Sequence, residues 1–236
     1  MRPGGRRLLA VDVDGTLVGP DMEPTPRVVR AVRRAAEAGV MVSLASGRAF
    51  GSMARYVSLL GLTAPVICFQ GAEIRDAGSG SVLYQSALSR PLLEEAIAWA
   101  DERDLEMTLH AGERVYLPAL RREPQFYQWA FGLPVQAASD LRLAYTEPPL
   151  KFLVVGEPAQ MDQVEPALRA HFAGRLQVVR SHQHFVEGVA LGVSKGEALA
   201  WVAAHLGISR AQTVAVGDQE NDASMLRWAG LGVAMG

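Results

Sequence analysis

LLAVDVDGT, residues 8–16, frames the rest of the chain. Leu8–Val13 is a short apolar run of the kind that forms a strand buried on both faces. It ends in two aspartates, Asp12 and Asp14. Side chains at i and i+2 of a strand share a face, so the two carboxylates converge where the strand gives way to Gly15-Thr16. Open α/β sheets bind ligands at the carboxyl ends of their strands. Two carboxylates held together there repel one another unless a cation or a proton intervenes.

Outward from this strand, helix and strand signals alternate. Thr25-Pro26 is an N-cap followed by proline at the first helical position. Val28, Val29, Val32, Ala35 and Ala36 recur at helical spacing, Arg30, Arg33, Arg34 and Glu37 fill a solvated face, and Gly39 stops the helix. Met41–Ala45 and Pro65–Phe69 read as strands around a helix from about Ala49 to Leu60. The chain resumes this rhythm near its end: helix Ser194–His205, strand Thr213–Val216, helix Asn221–Ala229, strand Leu231–Ala234. Such alternation predicts a Rossmann-like α/β core with a parallel sheet covered on both faces.

The middle differs. It predicts a helix over Pro91–Arg103, a hairpin over Met107–Tyr116, several proline breaks, a strand at Lys151–Val155, a helix at Pro158–Phe172 and a strand at Leu176–Arg180. This is read as an α+β domain, residues 78–184, inserted into a discontinuous core of residues 1–77 and 185–236. Trp99, Trp129, Trp201 and Trp228 lie in helical segments and read as core.

With 236 residues, 49% hydrophobic and 20% charged, the chain can bury a sizeable core without staples. A net charge of −2 argues against a general binder of nucleic acid or anionic membrane. The single cysteine, Cys68, excludes a disulfide framework and a thiolate zinc site, and its apolar setting reads as core. The apolar stretch Leu8–Val11 is shorter than the roughly 7–15 residues of a secretory signal, and no run approaches the ~18 needed to span a bilayer. The expected location is the cytoplasm.

Three further segments carry chemistry. Gly217-Asp218-Gln219-Glu220-Asn221-Asp222 follows a buried strand, so four of the ten aspartates lie in two post-strand loops at one sheet edge. Oxygen ligands without His or Cys suit Mg²⁺; Asn221 and Asp222 are also good helix caps. In Ser194-Lys195-Gly196-Glu197, Ser194 and Glu197 have capping-box spacing, placing Lys195 at the first helical position. A cation opposes the helix dipole there, and an anion beside it reverses the sign. Lys195 and Lys151 are the only lysines beside 21 arginines, which favours a specific role for Lys195 over a solvated one. In Leu44-Ala45-Ser46-Gly47-Arg48, the Ser46 hydroxyl and neighbouring backbone N–H groups suit a phosphoryl oxygen, or Ser46 is an N-cap. Together these supply what phosphoryl transfer to a carboxylate requires.

DVDGT, LASGR, the lysine of GVSKG, and GDQEND resemble, in order, the four motifs of the haloacid dehalogenase-like phosphohydrolases. The long insertion, GVSKGEAL and AGLGVAMG resemble the Cof-type subfamily, whose inserted domain is a type II α/β cap. The resemblance implies a Mg²⁺-dependent phosphatase of small phosphorylated metabolites, sugar phosphates first, with neither nucleic acid nor membrane as partner. Nothing in the sequence speaks to oligomeric state. Asp12 would be the nucleophile and Asp14 the acid and base. Asp12, the Asp14 carbonyl and Asp218 would hold Mg²⁺, with Asp222 supporting the metal site. Ser46, Gly47, Lys195 and Asn221 would bind the phosphoryl group.

Departures from the family pattern are Gln70-Gly71 where Asn-Gly is usual, Gly188 and Ala190 where a larger residue and proline are usual, and an end at Gly236 where relatives continue. The first would alter contacts of the third-strand loop, and the second would loosen the domain junction. Either the protein is short or its carboxyl end is missing, and a missing segment would leave apolar sheet surface uncovered and weaken stability. Candidate substrate contacts in the insertion are His110, Arg114, Tyr116 and His184, beside Arg121, Arg122, His182 and Lys151, the last equally a snorkelling strand-end residue. Alternatives are a phosphomutase, a regulatory module that keeps the fold without turnover, and a glycosyltransferase, which leaves Lys195 and the Asp218 cluster without a role.

Overall fold

The computed structural model describes residues 7–235. The chain divides into two compact units, one holding the chain up to Tyr84 and again from Ser194, the other Gln85–Val193.

The first unit starts with β1 (Arg7–Asp12), α1 (Pro26–Glu37), β2 (Val40–Ala45), α2 (Phe50–Leu60) and β3 (Val66–Cys68). Thr25 caps α1, its hydroxyl accepting from Val28 N–H at 3.3 Å, with proline next as its fixed φ permits. Gly61, at φ 64°, ends α2 in the left-handed region. Two short strands follow, β4 (Glu73–Arg75) and β5 (Val82–Gln85).

The second unit contains α3 (Arg90–Asp101), β6 (Glu106–Ala111), β7 (Arg114–Leu117), α4 (Pro124–Phe131), β8 (Val135–Ala137), β9 (Lys151–Val155), α5 (Pro158–His171), β10 (Leu176–His182) and β11 (Phe185–Ala190). The first unit then resumes with α6 (Lys195–His205), β12 (Thr213–Gly217), α7 (Ala223–Trp228) and β13 (Leu231–Ala234).

The first unit's sheet runs β13-β12-β1-β2-β3-β4-β5. β13 through β3 are parallel, and β4 is antiparallel to β3. Leu8, Ala10, Ala45, Ile67 and Ala215 of the sheet pack with Leu199, Val202 and Met225 of α6 and α7. Strand order reverses about β1, which lies between β2 and β12, and such a switch point leaves a crevice at the strands' carboxyl ends. Register puts Asp12 opposite Ala45 and Val11 opposite Val216, so Asp12, Ser46 and Asp218 leave the sheet at one edge.

The second unit's sheet runs β10-β11-β9-β6-β7-β8, antiparallel except for the β7–β8 pair. One face buries Met107, Leu109, Tyr116, Phe152, Val154 and Val186 against Leu93, Ile97, Met161 and Leu168 of α3 and α5. The opposite face carries Thr108, His110, Lys151 and Glu187, all buried.

Several expectations change. The expected insertion, residues 78–184, stops short of β11, which pairs between β9 and β10 and therefore belongs to the second unit. Glu187 and Gly188 interrupt the apolar pattern of β11 and hide the strand. Gly188 makes room for a ring within the second unit: a Cβ there would stand 2.2 Å from Phe152 Cζ. Of the prolines expected to break the chain in the insertion, Pro124 instead begins α4. Trp129 is 44% exposed and is not core. Lys151 does not snorkel; its Nζ lies 2.8 Å from Glu187 Oε2 and both side chains are buried. Cys68 is buried, and the arginine face of α1 is exposed. No helix among the described residues is long and apolar enough to cross a membrane.

Candidate active site

Asp12 is the last residue of β1 and is 4% exposed. Its Oδ1 lies 2.5 Å from Lys195 Nζ, and the same Nζ lies 2.6 Å from Asp222 Oδ1. Lys195 occupies the first position of α6, capped by Ser194, whose hydroxyl accepts from Glu197 N–H at 3.2 Å. The ammonium there opposes the helix dipole, and the two carboxylates offset that cost. Breaking a buried pair of this kind costs about 3–5 kcal/mol, because it strands a charge away from water.

Asp222 does more than face Lys195. Its Oδ2 accepts the backbone N–H of Asp218 at 3.0 Å and of Gln219 at 3.1 Å. It thereby folds the loop after β12 so that Asp218 points back toward β1. Asp218 accepts from Thr16 Oγ1 at 2.7 Å and from Gln219 Nε2 at 3.0 Å. Gly15, at φ 92°, lets the backbone pass close: a Cβ would stand 2.3 Å from Asp218 Oδ2. Asp222 also caps, as expected of it: its bond from Gln219 N–H closes a capping box on the 3₁₀ turn Glu220–Asp222, although its side chain makes no cap bond to α7 itself.

Carboxylate oxygens of Asp12, Asp218 and Asp222 lie within 4.8 Å of one another. Burial above all, with the charges of Asp222 and Asp14, pushes the Asp12 carboxyl up from 3.8 to about 7 against the opposing pull of Lys195. Burial works against the Lys195 ammonium, but Asp12 and Asp222 outweigh it and hold its pKa above the ordinary value. Three crowded carboxylates with one ammonium would repel a phosphate dianion. A hard divalent cation relieves that repulsion, and the all-oxygen donor set fits Mg²⁺.

Asp14 sits beyond the strand end. Its two oxygens accept from Arg48 Nε and Nη2, each at 2.8 Å, and its side chain is 46% exposed. Ser46, directly after β2, is buried. Its hydroxyl accepts from Arg48 N–H at 3.2 Å, so it shapes its own loop and does not cap α2, whose cap residue is Ala49. Gly47 lies in the same loop. Asn221 Nδ2 donates to Gln70 Oε1 at 3.1 Å.

The structure thus brings Asp12, Lys195, Asp218 and Asp222 together in one unit, with Asp14, Ser46, Gly47 and Asn221 on the loops around them. Thr16, Arg48 and Gln70 were not assigned roles from sequence. Thr16 and Arg48 stand inside quoted motifs, but no spacing argument shows that they reach Asp218 and Asp14. The four candidates in the second unit do not gather. Tyr116 pairs with Leu109 on the face packed against α3 and α5, whereas His110 lies on the opposite face, its Nε2 3.1 Å from Thr108 Oγ1 and its ring edge-on to Phe131. Arg114 is exposed at the start of β7. His184 sits in the β10–β11 turn, its Nδ1 2.9 Å from the Gly156 carbonyl oxygen.

Comparison with known proteins places this geometry in a lineage. A model of the family described as haloacid dehalogenase-like hydrolase matches residues 9–236. The chain is 29% identical over 231 residues to an HMP-PP phosphatase of Serratia proteamaculans, covering 98% of this chain and 84% of that one. It is 25% identical to a 5-amino-6-(5-phospho-D-ribitylamino)uracil phosphatase of Bacillus subtilis, covering 97% of this chain and 86% of the relative. A crystal structure of a haloacid dehalogenase-like hydrolase from Bacteroides thetaiotaomicron superposes with a TM-score of 0.86 at 27% identity, covering 98% of this chain and 89% of that one.

Proposed function

Because the chain belongs to the haloacid dehalogenase-like hydrolases, among their Cof-type phosphatases, we propose that it hydrolyses small phosphorylated metabolites, sugar phosphates first, through an aspartyl-phosphate on Asp12 with Mg²⁺ as cofactor. It is a phosphoric monoester hydrolase, as its named relatives are phosphatases. The observation that carries the reading is the buried Asp12–Lys195–Asp222 triplet at the sheet edge, with Asp218 beside it.

In the first step an Asp12 oxygen attacks phosphorus while the bond to the leaving oxygen breaks, and Asp14 delivers a proton to that oxygen. In the second, Asp14 takes a proton from water as the water attacks phosphorus, the Asp12–phosphorus bond breaks, and inorganic phosphate leaves. Lys195 and the Ser46 loop bear the negative charge of the phosphoryl group. Asp12, Asp218 and the Asp14 carbonyl would hold Mg²⁺, which supplies positive charge to the phosphoryl oxygens when bound. Asp222 orients Lys195 and the Asp218 loop from behind.

The substrate class is supported by relatives that act on small phosphorylated compounds. The test is phosphate release from a panel of sugar phosphates, nucleotides and phosphorylated cofactors, with Mg²⁺ and with a chelator. Release only with Mg²⁺ is expected, and Asp12→Asn should lower it on the order of 10³-fold or more while leaving the fold intact. Equal release with chelator, or an active Asp12→Asn, would sink the reading.

A further inference from the structure

Gln70 stands in a constrained turn of the first unit. Phe69, Gln70 and Gly71 follow one another at φ 49°, 62° and 104°, three left-handed residues in succession. Among these only glycine adopts that region at no steric cost. The neighbours hold the turn in shape. Phe69 N–H donates to the Arg48 carbonyl and Gln70 N–H to the Ser46 carbonyl, each at 3.0 Å. Gly71 lies so close to Ser194 that a Cβ would stand 2.4 Å from its carbonyl oxygen. The turn is therefore anchored to the loops that carry Ser46 and Lys195.

From this anchored point the buried Gln70 side chain reaches a third loop. Its Oε1 accepts one N–H of Asn221 at 3.1 Å. The other polar atom of Asn221, Oδ1, is buried and has no hydrogen-bond partner. A buried acceptor left without a donor is costly and calls for an explanation at the site where it occurs.

We propose that Gln70 is a positioning residue: by taking one N–H of Asn221, it fixes which way round that amide stands and leaves Oδ1 as an acceptor for an O–H donor of the ligand. This rests on the phosphatase reading above for what the ligand is. A fully ionised phosphoryl group carries no proton to donate. A hydroxyl of the substrate does, and so does a water held by the cation. Binding of the phosphoryl group by Asn221, as expected, would use the second N–H of Nδ2, while Oδ1, the atom without a partner, takes a donor.

The test compares Gln70→Met, which removes the acceptor at similar length, Gln70→Glu, which keeps it, Asn221→Leu, and the Gln70→Met/Asn221→Leu double variant. The readouts are kcat/KM for phosphate release, Mg²⁺ affinity by calorimetry without substrate, and the thermal midpoint. Gln70→Met should lower kcat/KM about tenfold, the size of one lost hydrogen bond, with little change in midpoint. Gln70→Glu should recover most of that loss. The double variant should lose no more than Asn221→Leu alone, because Gln70 acts through Asn221.

A matching loss of Mg²⁺ affinity identifies the donor as a cation-held water. Unchanged Mg²⁺ affinity, with the loss confined to esters that carry neighbouring hydroxyls and absent for phenyl phosphate, identifies a substrate hydroxyl. Wild-type values for Gln70→Met, or additive losses in the double variant, would overturn the inference. If the wild-type chain releases no phosphate, the phosphatase reading fails by itself. Gln70 is then judged by the NMR signal of the Asn221 side-chain amide. Gln70→Met should shift that signal and Gln70→Glu should keep it; an unmoved signal in Gln70→Met would overturn the inference.

Discussion

Asp12 takes up a proton near neutral pH because burial raises its carboxyl to about 7. The sign follows directly. An Asp of the unfolded chain binds its proton only near pH 4. Without cation, the stability that the folded chain draws from a protonated Asp12 is complete below about 4 and is lost as pH rises through about 7. A proton and a divalent cation compete for this carboxylate. Mg²⁺ affinity should therefore be about tenfold weaker at pH 6 than at pH 8, the span over which Asp12 goes from mostly protonated to mostly ionised. Calorimetric titrations at both values check this, and a flat profile would remove Asp12 from the ligand set. Arg48 shows another point at the same scale. It stands inside LASGR, yet only its fork onto Asp14, two contacts of 2.8 Å, reveals a connection between the second and first motifs.

At the scale of elements, the turn after β1 and the strand β6 make separate demands. Gly15 holds φ 92° and admits Asp218 against the backbone. Gly15→Ala should cost about 1–3 kcal/mol in urea unfolding. Because the carboxylate must move to admit the methyl group, Mg²⁺ binding should weaken by more than that stability loss alone suggests. Unaltered Mg²⁺ affinity in a folded Gly15→Ala would contradict the packing described. On β6, burial holds His110 well below its ordinary pKa of 6.5, and the Lys151 charge adds to that. The unfolded chain takes the proton near 6.5 and the folded chain does not, so stability is present above that pH and is lost as pH falls below it. Relative to His110→Gln, the wild type should lose about 1.4 kcal/mol between pH 7.5 and 5.5. Urea midpoints of the two proteins at both values measure it; parallel profiles would mean that His110 is protonated in place.

Across the whole molecule, the chain builds two units, each with its own sheet and core, and the cluster Asp12, Asp218 and Asp222 lies in only one of them. A ligand that binds the folded form alone stabilises what it binds, by about 2.7 kcal/mol at a hundredfold excess over Kd. Mg²⁺ should slow amide exchange in β1, β12 and the start of α6, and leave β6 and β9 as they were. Asp218→Asn should abolish the effect. Protection spread equally over both sheets, or none, would argue against a cation in this cluster.

The alternation of buried strands with amphipathic helices was legible because period and capping are local properties. LLAVDVDGT, TPRVV and SKGE each carry their own signal, and a parallel sheet then obliges the loops after β1, β2 and β12 to meet at one edge. That was enough to nominate Asp12, Asp14, Ser46, Lys195 and Asp218. What the sequence did not carry was any contact made through space. Arg48 on Asp14, Gln70 on Asn221, and Asp222 behind both Lys195 and the Asp218 loop depend on how loops curl after they leave the sheet. Lys151 on Glu187 likewise required β9 and β11 to lie side by side, which turned an expected strand-end lysine into a buried ion pair. Pattern sets which residues arrive at an edge; packing alone sets which atoms touch there.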